Sequence, residues 1–294
     1  MVKDNSLGYR TFSVINYLIL TVFSFLCIYP LINILAVSLS SNEAITRNEV
    51  NLLPVGFNVE AYKIVLSDPR IWLAYKNTIV YCIFSVIVHQ LMATLVAYPL
   101  SKKRLSGRGI FTFILTFTTL FKAGLIPTYL VVRSTGLINT MWALIIPGAI
   151  PVWNVIILRT YFQNSIPNEL EEAAVIDGAG NFKILMKIFI PLSMPIYAAF
   201  TLFFAVGMWN NFFSALIYLN DRNKFPLQVV LRDIIISGSS TVASAFKSTF
   251  GEETIVSESL KSATIILVVA PIIMVYPALQ KYFIKGMFLG SVKG

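Results

Sequence analysis

Between Thr11 and Asn42 the chain carries no charged residue at all. Crossing a bilayer takes roughly 17–25 predominantly apolar residues as a helix, so this one run is long enough to span. It also recurs. Apolar runs over 12–35, 77–100, 109–132, 140–161, 191–219 and 262–283 are separated by short polar stretches. Hydrocarbon offers the backbone no hydrogen-bond partner, so each run must satisfy its amides internally, as a helix. The pattern predicts an all-α polytopic membrane protein with six transmembrane helices. Charge agrees: only 13% of residues are charged, against about 25% in a soluble domain. The first run is too long for a cleavable signal peptide and has no clear small-residue cleavage site, so it is expected to remain as a span. Lys122, Gly124 and Pro127 interrupt the third run, and Pro147, Gly148 and Pro151 the fourth. Broken helices at membrane depth are tolerated where they face protein or a water-filled cavity, so these breaks hint at a pathway.

The net charge of +9 is not a nucleic-acid signal, because the basic residues sit in short segments beside spans. There they set orientation. The basic turn Lys102, Lys103, Arg104 and Arg108 contains no acid and decides the topology. With the N-terminus inside, basic residues outnumber acids twelve to five on the inner side and eleven to nine on the outer side. The expected organisation is a cytoplasmic tail over 1–10, a permease domain over 11–283 and a cytoplasmic tail over 284–294, in the cytoplasmic membrane. Outer loops fall near 40–74 and 220–259, and a long inner loop over 162–190.

Chemistry-bearing motifs are scarce. There is no phosphate-binding glycine loop with its lysine, no HExxH and no paired carboxylates. Cys27 and Cys82 lie within apolar runs, which speaks against a disulfide framework or a metal site. No catalytic residue, metal or bound cofactor is expected. Asp and Glu are absent from all six predicted spans. Ion-coupled carriers keep an ionisable relay there, so an external energy source is favoured. His89, mid-span, reads better as a packed, hydrogen-bonded histidine than as a proton relay, since no carboxylate accompanies it.

The inner loop is the most informative stretch. Pro167 suits a first helical turn, and Glu169, Glu171 and Glu172 follow where the helix dipole favours carboxylates. Leu170, Ala173 and Ala174 fall on one face, and two small residues there permit close approach. Gly178 stops the helix, Asn181 can cap a second one, and Phe182, Leu185, Met186 and Phe189 give that one an apolar face before Pro191.

This segment resembles the cytoplasmic EAA coupling loop of binding-protein-dependent ABC importer permeases. That signature runs Glu-Ala-Ala, three residues, Gly, nine residues, Ile-x-Leu-Pro. Here it reads Glu172-Ala173-Ala174, Gly178 and Ile188-Phe189-Ile190-Pro191, with Ile190 in place of Leu. The resemblance implies that Glu169, Glu172, Ala173, Ala174, Asp177, Gly178 and Pro191 serve ATPase coupling. Pro127-Thr-Tyr129, Gly136-Leu-Ile-Asn-Thr140 and Gly290-Ser-Val-Lys-Gly294 resemble maltose-type sugar permeases. The phrase Phe121-Lys-Ala-Gly-Leu-Ile-Pro-Thr-Tyr129 resembles a branch handling complex or acidic oligosaccharides, such as alginate or pectin fragments.

The family implies a second, different permease, two ATP-binding subunits carrying ATP and Mg, and an extracytoplasmic solute-binding protein. In maltose-type permeases the fifth span lines the pathway with a similar Trp-Asn-x-Phe sequence, which implies roles for Trp209, Asn210, Asn211 and Phe213, and Lys122, Tyr129 and Asn154 are further pathway candidates. Read from the residues alone, Trp209-Asn-Asn-Phe-Phe213 suits a sugar, with amides for hydroxyls and rings for C–H faces, but equally suits packing between helices. On one helix only one of Asn210 and Asn211 can face a pore squarely, because neighbours diverge by about 100°. Lys122 either snorkels to the outer interface or attracts an anionic sugar. The alternative class is a self-contained secondary sugar transporter or channel, which predicts intramembrane carboxylates and inverted repeats.

Overall fold

The structure, a computed structural model, describes residues 7–237 and 258–288. Every regular element among these is helical. The chain divides into two compact units, Met1–Ile71 with Leu231–Ala270, and Trp72–Val230 with Pro271–Gly294.

In the first unit, α1 (Leu7–Ser38) extends beyond the predicted 12–35 at both ends, so residues 7–10 of the expected tail are helical. Its spanning window buries none of its length. A stretch that is apolar all round and exposed along its length is suited to hydrocarbon, whereas the end of α1 is buried at Ala36 and Ser38. Ser24 returns its hydroxyl to the Leu20 carbonyl at 2.7 Å, which keeps a polar group satisfied in that setting. The following segment holds two short helices, α2 (Asn42–Thr46) and α3 (Glu60–Ser67). Gly56, at φ +64°, lies so close to Ser41 that an added Cβ would stand 2.7 Å from its Oγ. This is the turn signalled by Pro54-Val-Gly56.

α4 (Pro69–Ser101) starts eight residues before the predicted span, so the outer loop ends at Asp68 rather than Ala74. Proline at its first position costs nothing there, because that N–H has no helical partner. Pro99 lies inside the helix and does not end it.

The second unit contains the three broken spans. α5 (Arg108–Leu120) and α6 (Leu125–Ser134) meet at 116°, so the third run folds back on itself. Gly124 takes φ +83° at the break and Pro127 sits in the first turn of α6, so the interrupting residues build the turn. α7 (Trp142–Ile145) passes through a 3-10 turn over Ile146–Gly148 into α8 (Val152–Asn164), a 53° bend at the prolines. The inner loop holds α9 (Asn168–Ile176) and α10 (Asn181–Ile184). A π turn, Leu185–Phe189, leads to α11 (Ile190–Leu192) and then α12 (Met194–Trp209), with a 79° bend. Pro191 has no N–H to give the preceding turn, and a widened π turn accommodates that.

The predicted fifth span over 191–219 is therefore interrupted: α12 ends at Trp209 and α13 (Phe213–Tyr218) follows. α14 (Leu227–Ser237) and α15 (Glu258–Phe288) complete the described chain. By length and hydropathy α1, α4 and Glu258–Val275 can each cross a membrane, and counting each bent pair as one span brings the total to six. Residues 1–6, 238–257 and 289–294, which include much of the expected outer loop and C-terminal tail, lie outside the described residues.

The core of the second unit gathers Ala93, Ala97 and Tyr98 of α4, Val155, Leu158 and Phe162 of α8, Ile184, Leu185 and Phe189 of the loop, and Phe200 of α12. The inner loop is thus rooted in the helices it connects.

Candidate functional site

α9 is ended by two backbone hydrogen bonds around Gly178. The Ala179 amide donates to the Ala174 carbonyl at 2.9 Å and the Gly178 amide to that of Val175 at 3.0 Å. With Gly178 at φ +74°, this is the Schellman arrangement that closes a helix. At the other end Pro167 is extended (φ −58°, ψ 135°) and occupies the cap rather than the expected first turn.

The two alanines part company. Ala174 packs on the core, whereas Ala173, Leu170, Glu169 and Glu172 are exposed. The predicted common face of Leu170, Ala173 and Ala174 is therefore split. Ile176 is 86% exposed, and Asp177 beside it is exposed too. The next helix departs from expectation in the same way. Leu185 and Phe189 are buried, but Phe182 is 71% exposed and Met186 is half-exposed. Gly180, not Asn181, is the cap of α10.

Asn181 instead accepts a hydrogen bond from Arg104 Nη2 at 2.6 Å. Arg104 belongs to the basic turn that follows α4, and Lys102 of the same turn donates to Glu171 Oε2 at 2.5 Å. Lys102 Nζ also stands 3.8 Å from the Phe189 ring centre and 4.4 Å from that of Tyr98. Burial pulls the Lys102 ammonium below its ordinary range, with the Glu171 carboxylate opposing the shift. Around these residues opens a cleft of about 780 Å³ lined by Lys102, Arg104, Arg108, Gln163, Glu171 and Glu172 among others. The sequence names Lys102 for topology and Glu171 for the helix dipole, but does not pair them. Their signal was an acid-free basic turn and an acid-rich helix assigned to the same side of the membrane.

The pathway candidates are spread through the second unit. Lys122 is exposed at the break between α5 and α6. Tyr129 stacks on Tyr218 with centroids 6.3 Å apart, and Asn154 is half-buried in α8. Trp209 is buried, packs edge-on against Tyr75 at 6.3 Å and lines an apolar recess of about 190 Å³ with Ile79, Cys82 and Pro271. That recess holds none of Lys122, Tyr129 or Asn154. Asn210 donates to the Val206 carbonyl at 3.0 Å and accepts from Gln228 at 3.2 Å, while Asn211 Oδ1 accepts from the Ser214 amide at 3.2 Å. Both amides thus finish one helix and start the next. The expectation that the two must diverge by a helical step fails, because α12 has already ended. Phe213 is exposed at the start of α13. His89 Nδ1 lies 2.6 Å from the Ser85 carbonyl and the ring stacks on Phe204 at 5.1 Å, as a packed histidine would.

Residues 2–289 match the family described as "Binding-protein-dependent transport system inner membrane component". The chain is 39% identical over 285 residues to the polygalacturonan/rhamnogalacturonan transport system permease protein YtcP of Bacillus subtilis, covering 97% of this chain and 99% of that one. It is 40% identical over 290 residues to protein LplC of the same organism, covering 99% and 97%. Among solved structures it resembles a chain of a bacterial ABC transporter involved in import of the acidic polysaccharide alginate. There the TM-score is 0.89 at 38% identity, over 96% of this chain and all of the other.

Proposed function

The chain belongs to the family of binding-protein-dependent transport system inner membrane components, and on that premise we propose that it forms half of the pathway of an ATP-driven sugar or oligosaccharide importer. It works beside a second permease subunit, two ATP-binding subunits that carry ATP and Mg, and an extracytoplasmic solute-binding protein. The chain catalyses nothing itself. Its loop between α8 and α12 faces the cytoplasm, as do both termini, in keeping with the excess of basic residues on that side.

The observation that carries the reading is the outer face of α9. Leu170, Ala173 and Ile176 are exposed on a helix whose other face is anchored by Ala174 and Glu171. An exposed apolar strip beside carboxylates on a loop outside the membrane is what a docking partner covers. Closure of the ATP-binding subunits then displaces α9 and rocks the helices rooted in the same core, opening the cavity alternately to each side.

Co-expression with cognate ATP-binding and second-permease subunits, followed by purification through a tag on this chain, tests the proposal. An ATPase should copurify and be stimulated in proteoliposomes by sugar-loaded binding protein. A chain that purifies alone and moves sugar without ATP is a secondary carrier instead.

The substrate is proposed to be an acidic oligosaccharide, with Lys122 contributing attraction at the exposed break between α5 and α6. Lys122→Ala is expected to lower uptake of a uronate-containing oligosaccharide about fivefold, the scale of one exposed charge contact, and to leave a neutral oligosaccharide unaffected. Equal uptake of both, or equal loss of both, removes Lys122 from substrate selection.

A further inference from the structure

The acid-free turn after α4 grips the inner loop on both sides of Gly178. Lys102 holds Glu171 of α9, and Arg104 holds Asn181 of α10. Gln163 of α8 donates to the Ser101 carbonyl at 3.0 Å, so the end of α4 is tied to α8 as well. The Lys102–Glu171 pair is the tighter joint. Its side chains are only 11% and 18% exposed, and the ammonium lies over both the Phe189 and Tyr98 rings. Those rings are themselves packed edge-to-face at 5.1 Å, one on the π turn and the other on α4. A single cation thereby joins three elements: the end of a membrane-crossing helix, the loop helix and the π turn before Pro191.

We propose that the Lys102–Glu171 pair is the joint that passes movement of α9 to α4, making these two positioning residues for energy coupling. This rests on the coupling role given to α9 above. Ala174 is the other anchor, and its contact is apolar, without a fixed direction. The ion pair does have direction: a largely buried carboxylate moved away from the Lys102 ammonium keeps only the more exposed Arg104 guanidinium, 3.7 Å away, and is left poorly solvated, so Lys102 follows Glu171 rather than releasing it. The two aromatic faces favour a cation on the α4 side of the joint.

The test uses the full transporter in proteoliposomes and reads sugar moved per ATP hydrolysed. Variants are Lys102→Met, Glu171→Gln and the double substitution. Each single change should lower that ratio about tenfold. The double should also lie about tenfold down, not a hundredfold, because a pair can be broken only once. Single variants that keep the wild-type ratio, or losses that multiply in the double, overturn the proposal. If the single variants do not assemble, the double, which removes both largely buried charges and leaves only the exposed Arg104 without its carboxylate, should assemble better than either, and its failure to do so also overturns it. A wild-type assembly without binding-protein-stimulated ATP hydrolysis sinks the importer reading itself, an outcome distinct from any of these.

Discussion

Gly178→Val is expected to cut sugar uptake at least tenfold, Gly178→Ala to cut it less, and Gly178→Asn to leave it near wild type. The ordering follows from backbone conformation alone. At φ +74° an L-residue meets its own carbonyl, a cost of roughly 1–2 kcal/mol, and that energy shifts the capped fraction of the loop by about 5–30-fold. A β-branched residue fits the left-handed region worst, whereas asparagine visits it readily. No neighbouring atom lies within 4 Å of a Cβ built at Gly178, so crowding within the chain does not contribute. Loss of the cap would free the Ala174 and Val175 carbonyls and unfix the angle between α9 and α10. Uptake into proteoliposomes by the three variants decides it. If valine is as active as glycine, the cap is irrelevant. If asparagine is as poor as valine, the site is sensitive to any side chain, and a partner's surface rather than backbone strain sets the requirement.

The helical membrane architecture is visible in the sequence because hydrocarbon leaves the backbone one local solution, and uncharged runs announce it. Breaks were visible too, since Gly124, Pro127, Pro147 and Pro151 stand where the helices part. The size of each bend was not. A 116° reversal and a 53° kink arise from similar residues, and the difference lies in tertiary packing and in whether a glycine adopts positive φ. The same limit explains the Trp209–Phe213 stretch: hydropathy runs on through it, while the Asn210 and Asn211 amides bond local backbone and let α12 stop.

Within the inner loop, the stop at Gly178 could be read from local rules. The division of labour between Ala173 and Ala174 could not, because two adjacent residues of one type differ only in which way the core lies. The role of Glu171 was hidden for a similar reason. Its partner Lys102 is 69 positions away in sequence, and a basic turn beside a span already has a sufficient explanation in membrane topology. Only folding brings the two explanations onto one residue.

Ile176→Asp should abolish copurification of the ATP-binding subunit while the variant chain itself remains nearly as stable as wild type. The side chain is 86% exposed at the last turn of α9, so within this chain it has little packing to lose. Outside the core the main cost is that of an acid at the negative end of the helix dipole, no more than about 1 kcal/mol at an exposed site. In the assembled importer the same side chain stands at the tip of the helix proposed to enter the partner. An apolar anchor at an interface centre is worth about 2 kcal/mol or more, or about 30-fold in affinity. An aspartate adds desolvation cost and lies beside Asp177, where two like charges would enter one cleft. The pull-down yield of ATPase subunit, set against the thermal unfolding midpoint of the isolated variant, separates the possibilities. A fall in yield with a nearly unchanged midpoint assigns Ile176 to docking. An unchanged yield moves the docking surface elsewhere on the loop, and the exposed Phe182 beyond Gly178 becomes the anchor to replace next.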